Sequence, residues 1–284
     1  MLTPEIILLG GPNSGKTHYA GQFYGRLQRN PGKLKLRKDQ STPSDLSALE
    51  GVLKRLENGN SADHTPTETW SEITLPLVDA QGRHIELIWP DYAGEQLKEV
   101  FNNREVPASW RQRLIGADGW FVLIRLNSET IYPDALEQLA SSDFDSSRSV
   151  SRVGNWDANS YWIETLQILG HVAGISATSK RFKPRLAILL SCYDELETEN
   201  LTPVEVLRRK LPLLESFIDS NWDANAVSIW GLSSLGKELK IDTGDDDFID
   251  EGPECQGWVI NPEGGVQDSD LSKPLAWLLD KTDD

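Results

Sequence analysis

The chain has 284 residues, 38% hydrophobic and 25% charged, with a formal net charge of −16. That length and composition belong to a globular protein able to bury a full core, and they exclude disordered and fibrous classes. So acidic a chain lacks the basic face that grips nucleic-acid phosphates, so no direct nucleic-acid binding is expected. MLTPEIILLG has no basic n-region of a signal peptide, and no apolar run reaches the length of a membrane span. Membrane insertion is therefore not expected, and the cytosol is the expected compartment. Cys192, Cys255 and four scattered histidines offer neither a disulfide framework nor a zinc site.

In chain order, Ile6 to Leu9 reads as a buried strand and the residues after Thr17 as a helix. Between them, Gly10-Gly11-Pro12-Asn13-Ser14-Gly15-Lys16-Thr17 fits G-x-x-x-x-G-K-S/T. Strand, glycine loop and helix start in that order suit a polyphosphate: backbone N–H groups curl around the oxygens and the helix N-terminus adds partial positive charge. Gly10 through His18 are accordingly the candidate nucleotide-binding run. Lys16 would reach the β- and γ-phosphates, and the Thr17 hydroxyl would ligate Mg²⁺.

Leu46, Leu49, Val52, Leu53 and Leu56 fall at helical spacing, with Gly59 as a stop. SADHTPTET has loop composition, and WSEITLPLVDAQGRHIELIWPD reads as two strands joined at Gln81-Gly82. A helical region with a break at Pro107 precedes a buried strand from Gly119 to Leu126. Residues 128–158 include the serine-rich SSDFDSSRSVSRVG and read as a mobile insertion. SYWIETLQILGHVAG then reads as a helix, RLAILLS as a strand, TPVEVLRRKLPLLESFID as one helix and AVSIWGLSS as a last strand and loop. Residues 241–270 carry ten acids and no Lys or Arg, and are expected to be loop-rich. Residues 26–38 carry six basic residues and no acid. Both blocks are expected to be solvated faces, with partner docking as the minority reading. LSKPLAWLLDK closes the pattern as a helix. Alternating strands and helices predict one α/β domain over 1–284, its mostly parallel sheet flanked by helices, with an antiparallel hairpin and insertions.

The hairpin's second strand ends in D-x-x-G, at Asp91 and Gly94. A carboxylate at a strand end can hold Mg²⁺ through water, and the glycine lets a backbone N–H approach a γ-phosphate. P-loop, hairpin and D-x-x-G together resemble the Ras-like GTPases of the translation-factor-related class. That resemblance implies a P-loop NTPase fold, GTP or GDP as ligand, Mg²⁺, and two further motifs. At the N/T-K-x-D position stand Ser191, Cys192, Tyr193 and Asp194; Asp194 is placed to accept from guanine N1 and N2, while Ser191 and Cys192 depart from the motif. At the S-A-K/L position stand Ser233, Ser234 and Leu235. The resemblance also implies a switch I threonine that ligates Mg²⁺; spacing alone does not choose among Thr65, Thr67 and Thr69, and Thr65 is the first choice and Thr67 the second. Glu95 occupies the place of the water-positioning glutamine, with Gln96 next to it. Arg148 and Arg152 are candidate arginines acting in cis. WPDYAGEQ, SCYDEL, GLSSLG and the ending QGWVINPEGGVQDSDLSKPLAWLL are similar to the bacterial double-GTPase group of conflict and phage-defence operons.

The expected activity is that of a GTP-binding switch with slow intrinsic hydrolysis and a protein partner acting as effector or activator. A regulatory ATPase, a small-molecule kinase and a nucleotide-binding scaffold without catalysis stay open as alternatives.

Overall fold

A computed structural model describes residues 4–37, 46–62, 70–92, 94–131, 156–175, 179–198 and 201–280. Its main sheet has the order β1-β5-β6-β7-β8. Strands β1 (Ile6–Gly10), β5 (Gly119–Ile124), β6 (Arg185–Ser191) and β7 (Val227–Ser233) are parallel, and β8 (Trp258–Ile260) pairs antiparallel with β7 at the edge. A second sheet joins β2 (Lys35–Leu36), β3 (Trp70–Val78) and β4 (His84–Tyr92) in antiparallel order, with β4 lying alongside β1.

The apolar runs follow from this layering. Strands covered on both faces have no solvent side, so their sequence is continuously apolar rather than alternating. Ile7, Leu9, Trp120, Val122, Ile188 and Leu190 point to one face. Their neighbours Ile6, Leu8, Phe121, Leu123, Ala187 and Leu189 point to the other. The first face is covered by α3 (Gly94–Asn103), α4 (Ala108–Gly116), α5 (Ala158–Val172), α6 (Pro203–Lys210) and α7 (Pro212–Asn221). The second is covered by α1 (Lys16–Arg29), α2 (Ser47–Glu57), the hairpin and α9 (Lys273–Leu279). Trp120 and Trp162 are buried in the core, whereas Trp277 is half-buried beneath the Arg185 guanidinium, 3.9 Å from its ring centroid. At the hairpin turn, the Asp79 carboxylate accepts from the backbone N–H of Gln81 and Arg83 at 3.0 and 2.8 Å.

Four expectations are corrected. The helix expected over TPVEVLRRKLPLLESFID is two helices. Pro212 has no N–H to continue the ladder, and Leu211 turns out of helical geometry at φ −132°, ψ 66°. The freed N–H groups of Leu213 and Leu214 both donate to Asn159 Oδ1 at 3.1 Å, so α5 caps α7. The acidic segment is more regular than loop composition suggests. It contains α8 (Asp246–Glu251), capped by Asp245 accepting from Phe248 N at 2.9 Å, then a 3-10 turn at Pro253–Cys255, and then β8. β7 is therefore not the last strand.

The charge blocks, finally, are partly docked on each other rather than simply solvated. Arg29 pairs with Glu57 and with Glu254, the latter at 2.9 Å, and Lys33 N donates to Asp270 at 2.9 Å. Arg26 is buried, donating to the carbonyls of Gln256 and, at 3.0 Å, Gly257. Its neighbour one turn earlier, Gln22, donates to the carbonyls of Pro253 and Gln256. α1 thus buries even its polar positions from Tyr19 to Leu27, because residues 253–271 lie over them.

Candidate functional site

The parallel strands end at one edge of the sheet, where ligands of α/β proteins bind. β1 runs buried to Gly10, and the chain turns through Asn13 (φ 57°) and Gly15 (φ 81°) before α1 begins at Lys16. Ser14 Oγ donates to the Gly11 carbonyl at 2.8 Å and closes the loop on itself. The Lys16 ammonium reaches back over the loop, donating to the carbonyls of Gly10 and Gly11 at 2.8 and 3.0 Å. A cation in the first turn of a helix opposes the helix dipole by about 0.3–1 kcal/mol. Stability alone does not favour lysine there.

Gly94, the first residue of α3, backs directly onto this loop. A Cβ at that position would lie 2.3 Å from Gly11 C and Pro12 N, so only glycine lets the D-x-x-G segment approach. On α1, His18 Nε2 accepts from the Ala62 N–H at 3.1 Å and lies 3.0 Å from Ser61 Oγ. The ring therefore holds the backbone just before the candidate switch I loop.

On the other side, β6 ends at the buried Ser191, and Cys192 takes left-handed backbone geometry (φ 50°, ψ 45°). For a non-glycine residue that costs of order 1–3 kcal/mol. It turns the chain into a 3-10 turn, Tyr193–Glu195, that leaves Asp194 exposed. Tyr193 is buried against Gly231 and edge-on to Trp258. Burial pushes the Cys192 thiol up to about 12, so it stays a neutral thiol at physiological pH. From the end of β7, Ser233 Oγ accepts from Gly236 N at 2.9 Å and shapes the next loop.

These pieces converge. Pro12 through His18, Gly94, Glu95, Asp194, Ser233 and Ser234 line one cleft, together with Ser191, Cys192 and Leu235. Gly10 forms the strand end behind it. Gly11 faces a neighbouring groove shared with Pro12, Asn13 and Lys98. Gln96 is half-buried on α3 and is not on the cleft wall. The backbone of Asp91 lies next to last in β4, opposite Ser71. Thr65, Thr67, Thr69, Arg148, Arg152 and most of the serine-rich insertion lie outside the described residues.

The cleft also contains charged residues that the motif reading missed: Arg125, Glu195, Lys237 and Glu238. Arg125 directly follows β5, and its position past the end of a buried parallel strand is the signal that marks it. Lys237 reaches Asp245 at 2.5 Å, which lowers the Asp245 carboxyl below its ordinary value.

Among the described residues, no helix is long and apolar enough to cross a membrane. No curated protein matches the chain. Solved structures that align with it include the following three. The bacterial selenocysteine-specific elongation factor EF-Sec is 13% identical with a TM-score of 0.36; the alignment covers 82% of this chain and 26% of that one. The chain thus spans about a quarter of that factor's length. The Arl6 (BBS3) small GTPase from Trypanosoma brucei, with a bound nucleotide analogue GppNp, is 10% identical with a TM-score of 0.41, covering 98% and 96%. The signal recognition particle receptor SRb-GTP/SRX complex from Chaetomium thermophilum is 17% identical with a TM-score of 0.41, covering 84% and 94%. The Double-GTPase 1 family matches residues 7–278, almost the whole chain. The chain belongs to the Double-GTPase 1 family and is a GTP-binding P-loop protein.

Proposed function

We propose that this GTP-binding protein is a single-domain molecular switch, which hydrolyses the β–γ bond of GTP slowly and signals to a protein partner in a bacterial defence or conflict system. The observation that carries this reading is the single cleft shared by the P-loop, Gly94-Glu95, Asp194 and Ser233-Ser234. Backbone N–H groups from Asn13 to Thr17 hold the phosphates, and Lys16 offsets charge on the β–γ bridge. Gly94 lies against the loop backbone, so loss of the γ-phosphate is felt by α3 at once.

Mg²⁺ prefers one or two protein oxygens, with phosphates and water completing its octahedron. The donor set fits that demand: the Thr17 hydroxyl lines the cleft, and Asp91 stands at the end of the strand beside β1. Thr17, Asp91 and either Thr65 or Thr67 would hold the ion, which supplies charge neutralisation to the phosphates. Titration of GTP, GDP and ATP analogues, with Mg²⁺ present and absent, tests the reading. ATP binding as tight as GTP binding overturns it.

Asp194 supplies the base selectivity. An exposed carboxylate at the cleft edge accepts from guanine N1–H and N2–H, donors that adenine lacks. Asp194→Asn is expected to shift preference from guanosine to xanthosine nucleotides, because xanthine presents an acceptor where guanine has a donor. Each charged hydrogen bond lost is worth about 1.5–3 kcal/mol, or tenfold or more in relative affinity. Competition of GTP and XTP against a fluorescent GDP analogue measures the shift.

Glu95 lines the cleft where a neutral glutamine would position water. Two like charges about 4 Å apart repel by about 1 kcal/mol in water and by several-fold more when partly desolvated. Purified protein is therefore expected to hydrolyse GTP at about 10⁻⁴–10⁻² per second, with Glu95→Gln faster. Single-turnover assays decide this; wild-type turnover above about one per second refutes the slow switch.

A further inference from the structure

The turn that presents Asp194 is fixed by residues other than Asp194. On one side Tyr193 is buried against Gly231, so the turn is anchored in the core. On the other side Glu195 is gripped by Arg125, whose Nε donates to Glu195 Oε2 at 3.1 Å and whose Nη2 donates to Oε1 at 2.5 Å. Asn127 Nδ2 adds a third tie, to the Glu195 carbonyl at 3.0 Å. The end of β5 thus holds the turn after β6 by three bonds, two of them in the planar, bidentate geometry that only arginine offers a carboxylate. The pair is half-buried at the cleft, with side-chain exposures of 31% and 26%, so it is screened less than a fully exposed ion pair.

The charges around it make the grip necessary. Asp194, Glu195 and Glu238 all line the cleft, and of the nearby cations Lys237 is engaged by Asp245. At the position after Ser191, where the motif has a lysine, stands Cys192, which burial keeps neutral. Arg125 is therefore the cation that neutralises the base end of the cleft. It also sets where Asp194, bonded to Glu195 through one peptide unit, can point.

We infer that Arg125 is a positioning residue for guanine selectivity: through its bidentate pair with Glu195 it fixes the turn from which Asp194 reads the base. This rests on the reading of Asp194 as the guanine-recognising carboxylate. The test compares GTP with ITP, which share every phosphate contact and differ only in the 2-amino group, so general electrostatic effects on nucleotide binding cancel in the ratio. Affinities are measured by competition against a fluorescent GDP analogue for wild type, Arg125→Ala, Arg125→Lys, Glu195→Gln and the exchanged pair Arg125→Glu/Glu195→Arg.

Wild type is expected to prefer GTP by about tenfold or more, the worth of one charged hydrogen bond. Arg125→Ala and Glu195→Gln are expected to reduce that ratio to about threefold or less. Arg125→Lys, which keeps the charge but loses the fork, is expected to fall between. The exchanged pair is expected to recover part of the ratio. An Arg125→Ala or Arg125→Lys protein that binds both nucleotides more weakly at an unchanged ratio overturns the inference and leaves Asp194's role standing. A wild type that does not distinguish GTP from ITP or ATP overturns the reading of Asp194 and the inference with it.

Discussion

Replacing Lys16 with alanine is expected to weaken GTP binding by about 10²–10⁴-fold in a protein that remains folded. The ammonium now spans the loop between the Gly10 and Gly11 carbonyls, in the first turn of α1. Two charged hydrogen bonds to phosphate at about 1.5–3 kcal/mol each give about 3–6 kcal/mol, and each 1.4 kcal/mol is tenfold in affinity. The structural side of the ledger is small. Lys16 is half-buried at the positive end of a helix dipole, so removing it relieves an unfavourable charge while losing two bonds to carbonyls. The melting temperature of the nucleotide-free variant is expected within about 4 °C of wild type. Calorimetric titration with GTP and a thermal melt check both halves. Unchanged affinity in a folded variant would remove the P-loop from the mechanism.

Gly94→Ala is expected to reduce GTP hydrolysis by about 10²-fold or more while affecting GDP binding far less. The added methyl would stand 2.3 Å from two backbone atoms of the P-loop and 2.4 Å from the Gly11 carbonyl oxygen. None of these is the far end of a flexible side chain, so α3 must retreat by about 1 Å. Overpacking of this kind costs about 1–3 kcal/mol, and a displacement of that size at a reacting centre can cost about 10²-fold in rate. GDP does not require the contact between Gly94 and a γ-phosphate, so its affinity is the control. Single-turnover hydrolysis beside GDP titration separates the two. Wild-type hydrolysis by the variant would show that α3 does not act at the phosphate.

How much of this was legible in the sequence differed by the range of the interactions involved. The P-loop is contiguous, and its glycines, lysine and flanking apolar strand each carry a local physical reason, so it reads directly. The buried strands read well because cover on both faces leaves them uniformly apolar. The break at Pro212 had a visible local cause, but the acceptor that makes it inexpensive is Asn159, 54 residues away from Leu213. β2 and β8 have two and three residues, too short to set a hydrophobic period, and they exist because a neighbouring edge accepts them. At the site, Gly94 and Asp194 follow from motif spacing. Arg125 does not, since it matters only because folding brings the end of β5 beside the turn after β6.

The cover over α1 has a consequence for how the protein is made. Tyr19 Oη donates to the Leu271 carbonyl at 3.0 Å across 252 residues of chain. Gln22 and Arg26 take their acceptors at separations of 230 residues or more. At about 5–20 residues per second, a ribosome that has made the helix bearing the phosphate loop needs roughly 10–50 s more to supply its partners. Throughout that interval Tyr19, Gln22 and Arg26 lack the carbonyls to which they donate in the finished protein. Contacts this distant also form slowly once available, because the loop they close must first be ordered. The helix after the glycine loop is thus synthesised well before the segment that completes its burial, and it is expected to gain full protection from proteolysis only once residues 253–271 have left the ribosome.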